Sequence, residues 1–278
     1  MRRITEIQVN MFLAQLRDEE KSEATIEKYR RDVYCFRDFI GEEPIDKQRC
    51  MKYKAYISEK YAVASVNSMI ASLNSFFKFC GWYDCCLRQL RVQKRVFCCE
   101  EKELSKAEYT RLIHTARLQR NERLYYLLQT ICSTGIRVSE LRFITVEAVR
   151  KGLAIIQCKG KTREILIVSD LKKCLLKYVR KIGLESGSIF VTKSGKPIDR
   201  SNIWREMKAL CKKAKVSEKK VFPHNLRHLF ARLFYKIEKD IAKLADVLGH
   251  SSINTTRIYI ISTGSEHRRT MEHMHLIL

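Results

Sequence analysis

Six side chains between positions 137 and 259 of this 278-residue sequence are of the types that phosphodiester chemistry needs. They are Arg137 in Ser133-Thr-Gly-Ile-Arg-Val-Ser-Glu140, Lys159 in Cys158-Lys-Gly-Lys-Thr162, His224 and Arg227 in Pro223-His-Asn-Leu-Arg-His228, His250 after Leu248-Gly249, and Tyr259. When a phosphodiester is transferred to a protein nucleophile, charge builds on the phosphate oxygens and fixed cationic donors must neutralise it. A tyrosine oxygen suits the nucleophile because it forms a reversible ester with phosphorus, so the bond energy is kept for rejoining. Taken singly, each residue has a plainer reading. Arg137 can pair with Glu140 one helical turn on, Lys159 can be a solvated turn lysine, His250 can favour a helix C-terminus closed by Gly249, and Tyr259 can pack among Ile258, Ile260 and Ile261. His224 and Arg227 are harder to dismiss. Three apart at the start of a helix, they share a face beside free N–H donors, where a phosphate would sit.

The elements that must carry these residues are mostly helical. Ile26, Tyr29, Val33, Phe36 and Ile40 recur at helical spacing and stop at Gly41. A helix within Ile45 to Lys60 is capped by Asp46. A third, capped by Ser65, buries Val66, Met69, Ile70, Leu73, Phe76, Phe77 and Cys80 and closes at Gly81. Residues 1–90 therefore predict a small helical bundle. The pattern lapses over residues 91–103, where basic residues give way to Glu100, Glu101 and Glu103; this is the expected linker, either a plain solvated connector or a strap along a phosphate backbone. A second domain, 104–278, opens with Ser105 before a helical pattern and runs through Leu124 to Cys132. Leu153 to Gln157 and Glu164 to Ser169 are β-type runs joined by Cys158 to Thr162, a hairpin. Helical spacing returns at Leu171 to Ile182, Ser201 to Lys213, Leu226 to Ile237 and Ile241 to Leu248. From about Gly264 an apolar tail with Met271, Met274, Leu276, Ile277 and Leu278 needs a surface to cover it. The fold class expected is mainly α with one small β-sheet.

Lys and Arg number 54 against 31 Asp and Glu, a net charge of +23, so the partner is a polyanion. No apolar run of about 18 residues could span a bilayer, and no signal-peptide core begins the chain. The reading is a cytoplasmic protein facing nucleic acid. Eleven cysteines, with adjacent pairs at Cys85-Cys86 and Cys98-Cys99 but no C-x-x-C, suit reduced, buried hydrophobes rather than disulfides or zinc ligands. No H-E-x-x-H occurs, and neither metal nor cofactor is implied.

Thr134-Gly-Ile-Arg137-Val-Ser-Glu140-Leu, Lys159-Gly-Lys-Thr-Arg163, His224-Asn-Leu-Arg227-His228 and Leu248-Gly-His250-Ser-Ser-Ile-Asn-Thr-Thr-Arg-Ile-Tyr259 resemble, in order and spacing, the successive boxes of the tyrosine recombinase (phage integrase) family. The match covers the whole second domain, and its last two boxes are the most specific. The first domain resembles the family's core-DNA-binding domain more loosely. The resemblance implies that Arg137 and Arg227 grip the non-bridging oxygens of the scissile phosphate. It further implies that Lys159 protonates the leaving 5′ oxygen, His224 assists proton transfer at the tyrosine, and His250 hydrogen-bonds the phosphate. Glu140 and His228 support the site, and Tyr259 attacks to leave a 3′-phosphotyrosine. Arg88, Arg91, Lys94, Arg95, Lys161 and Arg163 are the expected DNA contacts, and the expected partner is double-stranded DNA held by a tetramer on two sites, with accessory proteins left open. The chain begins almost directly in the core-binding pattern, as compact Xer-like and mobile-element integrases do. The alternatives are relaxation of DNA by a type IB topoisomerase-like enzyme and a DNA-binding regulator with an inactive site.

Overall fold

The computed structural model describes residues 2–91, 102–158, 161–192, 194–259 and 271–274, with the backbone alone at Cys158 and Lys161. The chain forms two compact units, Met1–Lys94 and Arg95–Leu278.

The first unit is the helical bundle expected, built from α1 (Glu6–Asp18), α2 (Glu23–Ile40), α3 (Lys47–Lys60) and α4 (Val63–Phe79). Thr5 and Gln8 form a reciprocal cap on α1, a helix for which the sequence reading gave no bounds. Asp46 accepts from the Arg49 N–H and starts α3 as anticipated, and Gly41 closes α2 at φ 64°. Ser65 is not the cap of α4. The helix begins three residues earlier than expected, at Val63 behind Ala62, whose extended backbone makes the entry without a side-chain bond. Aromatic edges lock the helices together: Phe36 meets Tyr53 and Phe77 at centroid distances of 5.0 and 5.4 Å, and Phe12 meets Phe76 at 5.4 Å. Buried Asp32 is matched by Lys28 Nζ at 2.7 Å and Ser72 Oγ at 2.8 Å, which ties α2 to α4. Asn67 and Asn74, two turns apart on α4, each pair through the side-chain amide with the backbone of the outgoing segment, at Leu90 and Leu87 respectively. These bonds hold Arg88 and Arg91 on an ordered, exposed path.

The second unit contains α5 (Lys106–Leu118), α6 (Glu122–Thr134), a 3₁₀ turn Val138–Phe143, α7 (Val146–Lys151), β1 (Leu153–Cys158) and β2 (Lys161–Leu166). The chain continues through α8 (Ser169–Lys181), α9 (Arg200–Ala214), α10 (Pro223–Glu238), α11 (Ile241–Leu248) and α12 (Ile253–Arg257). Ser105 and Glu108 cap α5 reciprocally. The hairpin is tighter than its sequence suggests, because Lys161 and Thr162 already belong to β2 and Cys158 pairs with Lys161. Ala154 and Ile156 on β1 and Ile165 on β2 point into the core, while Ile155 and Leu166 remain exposed. Leu112 and Ala116 of α5, Leu127, Leu128 and Ile131 of α6, Leu175 of α8, Met207 of α9 and Leu226 of α10 complete that core. A smaller cluster of Ala231, Leu244, Leu248 and Tyr259 lies where α10, α11 and the segment after α12 meet.

Candidate active site

Four helix ends and one strand deliver the site. Helix α6 ends at Gly135, whose left-handed φ of 62° turns the chain through buried Ile136 to Arg137. A Cβ at Gly135 would stand 2.5 Å from Phe230 Cδ1 and 3.0 Å from Leu248 Cδ2, so side chains of two other helices exclude any larger residue. Arg137 and Glu140 close the 3₁₀ turn on each other: the Arg137 N–H donates to Glu140 Oε2 and Nη1 to Oε1, both at 2.9 Å. The plain ion-pair reading of Arg137 is therefore met, and the same carboxylate fixes the direction of the arginine. Arg137 Nη2 also approaches the Gly249 carbonyl at 3.4 Å.

Helix α10 starts on Pro223, whose missing N–H costs nothing at a helix start. Behind it, buried Asn225 donates to the carbonyls of Lys102 and Lys220 at 2.7 Å each and fixes this end. His224, Arg227 and His228 then share a face. Arg227 is only 2% exposed; its Nη1 donates to the Gly135 carbonyl and its Nη2 to the Leu248 carbonyl at 2.8 Å. Burial, with the like charge of Arg137 next, brings its guanidinium down to about 10, which leaves it cationic at neutral pH.

Helix α11 closes on left-handed Gly249, and His250 follows it. Arg227 Nη2 lies 2.9 Å from His250 Nε2, and Thr256 Oγ1 lies 2.8 Å from Nδ1. A guanidinium can only donate, so Nε2 is the acceptor and Nδ1 carries the proton that goes to Thr256. Thr256 is fully buried on α12, three residues before Tyr259, whose N–H donates to its carbonyl at 2.9 Å. The Tyr259 ring is 4% exposed and faces three imidazoles, with centroids 4.3 Å from His228 and 5.4 Å from His224 and from His250. Burial, then neighbouring positive charge, lowers all three: His228 and His250 to about 4, and His224 below its ordinary value. They are neutral at physiological pH.

The structure thus brings together Arg137, Glu140, His224, Arg227, His228, His250 and Tyr259. Lys159 lies outside the described residues, as do Lys94, Arg95, the Lys161 side chain and the tail apart from 271–274. Arg163, expected as a DNA contact, is turned inward instead. Its side chain is 15% exposed, and its guanidinium donates to Glu140 Oε2 at 2.8 Å and to the Leu248 carbonyl. The strand period carried that signal, since Arg163 shares the inward parity of Ile165 and Ile167. Arg200, at the first turn of α9, adds positive charge felt by His224; nothing in the sequence marked it out. Among the described residues no group of three or more His, Cys, Asp and Glu side chains is placed to hold a metal ion, and no helix is long and apolar enough to cross a membrane.

Residues 102–266 match the model of the phage integrase family, and residues 9–82 match the phage integrase N-terminal SAM-like domain. The tyrosine recombinase XerA of Pyrococcus furiosus is 30% identical over 96% of this chain and 93% of its own length. The tyrosine recombinase XerC of Herpetosiphon aurantiacus is 28% identical over 91% and 89%. Among solved structures, a XerA recombinase superposes with a TM-score of 0.55 at 26% identity, over 99% of this chain and all of that one. A XerH site-specific recombinase bound to palindromic difH substrate in a post-cleavage complex superposes at 0.75, with 18% identity over 95% and 84%. A lambda integrase (75–356) dimer bound to a COC′ core site also reaches 0.75, with 17% identity over 92% and 95%. Two family models, end-to-end relatives and the ordered boxes agree: the chain belongs to the phage integrase family, the tyrosine site-specific recombinases that cleave and rejoin DNA.

Proposed function

We propose that the site works as the family's sequence boxes imply, with Tyr259 as nucleophile on a scissile phosphate held by Arg137 and Arg227. The observation that carries this reading is the setting of Tyr259, buried against His224, His228 and His250 and beside the Arg227 guanidinium. Arg137 and Arg227 supply two positively charged forks for the non-bridging oxygens as charge grows on them. A neutral His224 accepts the tyrosine proton as the tyrosine oxygen bonds to phosphorus and the P–O5′ bond breaks. Lys159 gives its proton to the leaving 5′ oxygen, so the products are a 3′-phosphotyrosine and a free 5′ hydroxyl. Attack by that hydroxyl, or by one from a second duplex, reverses the steps and rejoins the strand.

The first unit serves as the core-DNA-binding domain, with Arg88 and Arg91 exposed toward the phosphate backbone, and 104–278 as the catalytic domain. The substrate is double-stranded DNA, cut by a tetramer on two sites in the cytoplasm; a tetrameric lambda integrase bound to a Holliday junction supports that assembly, with a TM-score of 0.74 at 18% identity. Tyr259→Phe removes only the hydroxyl. Band shifts on a target duplex should be unchanged, while the covalent protein–DNA band on a denaturing gel disappears. A persisting band would assign the attack to another residue. Supercoil relaxation run beside a two-site recombination assay separates this enzyme from a topoisomerase.

A further inference from the structure

We propose that Arg163 is a positioning residue that braces both arginines of the phosphate clamp from behind and does not itself touch DNA. The proposal rests on the clamp reading of Arg137 and Arg227 given above. Three contacts carry it. Glu140 binds Arg137 through Oε1 at 2.9 Å and Arg163 through Oε2 at 2.8 Å, so one buried carboxylate is shared between a front and a rear guanidinium. The Leu248 carbonyl accepts from Arg163 Nη1 and from Arg227 Nη2 at 2.8 Å. Arg163 is therefore the group that touches the partner of each clamp arginine. A planar fork satisfies the two with separate nitrogens, Nη1 on the Leu248 carbonyl and Nη2 on Glu140, whereas a lysine has a single nitrogen to divide between them.

The surroundings are built around this side chain. Gly249, left-handed at φ 62°, leaves the room it occupies: a Cβ there would lie inside contact distance of Arg163 Cδ and 2.7 Å from Nη1. Strand register fixes the other end, because Arg163 pairs opposite Ile156 and shares its inward face with Ile165. A buried cation needs such an arrangement, and burial does lower the Arg163 guanidinium from its ordinary value. The arginine thus ties β2, the 3₁₀ turn after α6 and the end of α11 into one frame.

The test compares single-turnover cleavage of a target duplex with a normal scissile phosphate and of one with a neutral methylphosphonate there. Removing the charge on the phosphate relieves the demand on a clamp, so a clamp defect shrinks on the neutral substrate and a general folding defect does not. Arg163→Met should slow cleavage of the phosphodiester about 100-fold, on the scale of losing one preorganised donor. The same variant should be within about 5-fold of wild type on the methylphosphonate and within about 3-fold in DNA affinity. Arg163→Lys, which keeps the charge and reaches one partner, should fall between; it also stands in if the methionine variant fails to fold. Equal slowing on both substrates would reduce Arg163 to fold support, and a weakened affinity with a flatter salt dependence would make it a DNA contact. A wild-type rate in the lysine variant would overturn two-armed bracing. Arg137→Ala is the control: if its defect is the same on both substrates, the clamp reading itself falls, and the bracing role with it.

Discussion

The chemistry of His250 turns on which nitrogen holds its proton. With Nε2 accepting from Arg227 and Nδ1 donating to Thr256, the neutral ring has no proton free for a phosphate oxygen. Arg227, Arg137 and Arg163 surround it with positive charge, and Tyr259 stacks on its face, so burial and these cations hold it at about 4. A phosphate placed among them offsets part of that positive field and raises that value. Binding at about pH 6, near the ordinary histidine value, should therefore take up a proton. Calorimetry in buffers of different ionisation heat measures it: wild type should show uptake, and His250→Asn clearly less. Equal uptake in both would mean that His250 stays a neutral acceptor. In the free protein the same low values act on stability. An unfolded imidazole binds its proton near 6.5, whereas His228 and His250 do so only at about 4. The unfolded state thus gains protons first, and stability present above about pH 6.5 is lost as the pH falls toward about 4. Melting temperatures followed through that window should drop, and His228→Gln should flatten the drop.

Among the elements, the end of α6 couples packing most directly to chemistry. Gly135 holds a left-handed turn under Phe230 and Leu248, and its carbonyl accepts from Arg227. Gly135→Ala should cost about 1–2 kcal/mol for the backbone conformation and about 1–3 kcal/mol for crowding. Because the carbonyl moves with the turn, cleavage should fall further than DNA affinity; an alanine variant that melts earlier yet cleaves normally would uncouple the two. Much of this frame was legible in the sequence wherever the signal is local. Gly41, Asp46 and Ser105 act on residues within one turn, and the boxes holding Arg137, His224, Arg227, His250 and Tyr259 converge as their order suggests. Signals were lost where a partner is distant or is main chain. Glu140 and Arg163 are 23 residues apart, Asp32 and Ser72 are 40, and the Leu248 carbonyl that gathers two guanidinia has no side-chain signature. The start of α4 was misplaced because Ala62 enters the helix on backbone geometry alone, while Ser65 has the better capping side chain.

For the whole molecule, the net charge of +23 sets how binding responds to salt. A protein that covers about 6–10 phosphates should lose roughly 10³–10⁵ in affinity between 50 and 200 mM salt. Anisotropy titrations over that range give the slope, and a flat response would point to a partner other than a polyanion. The site shows the same imbalance in miniature. Beyond burial, the charge of Arg137 lowers both Arg163 and Arg227, that of Arg163 lowers Arg227 further, and Glu140 is the one carboxylate bonded to Arg137 and Arg163 among the described residues. An empty site of this kind is electrostatically frustrated: it carries like charges at close range that the fold restrains but does not neutralise. On the proposed clamp reading, the scissile phosphodiester supplies a counterion to these arginines, so substrate binding adds the negative charge that Glu140 alone does not provide. Affinity at this point of the DNA and rigidity of the empty protein are therefore opposed quantities, and any substitution that balances the charge in advance strengthens the fold by weakening the grip.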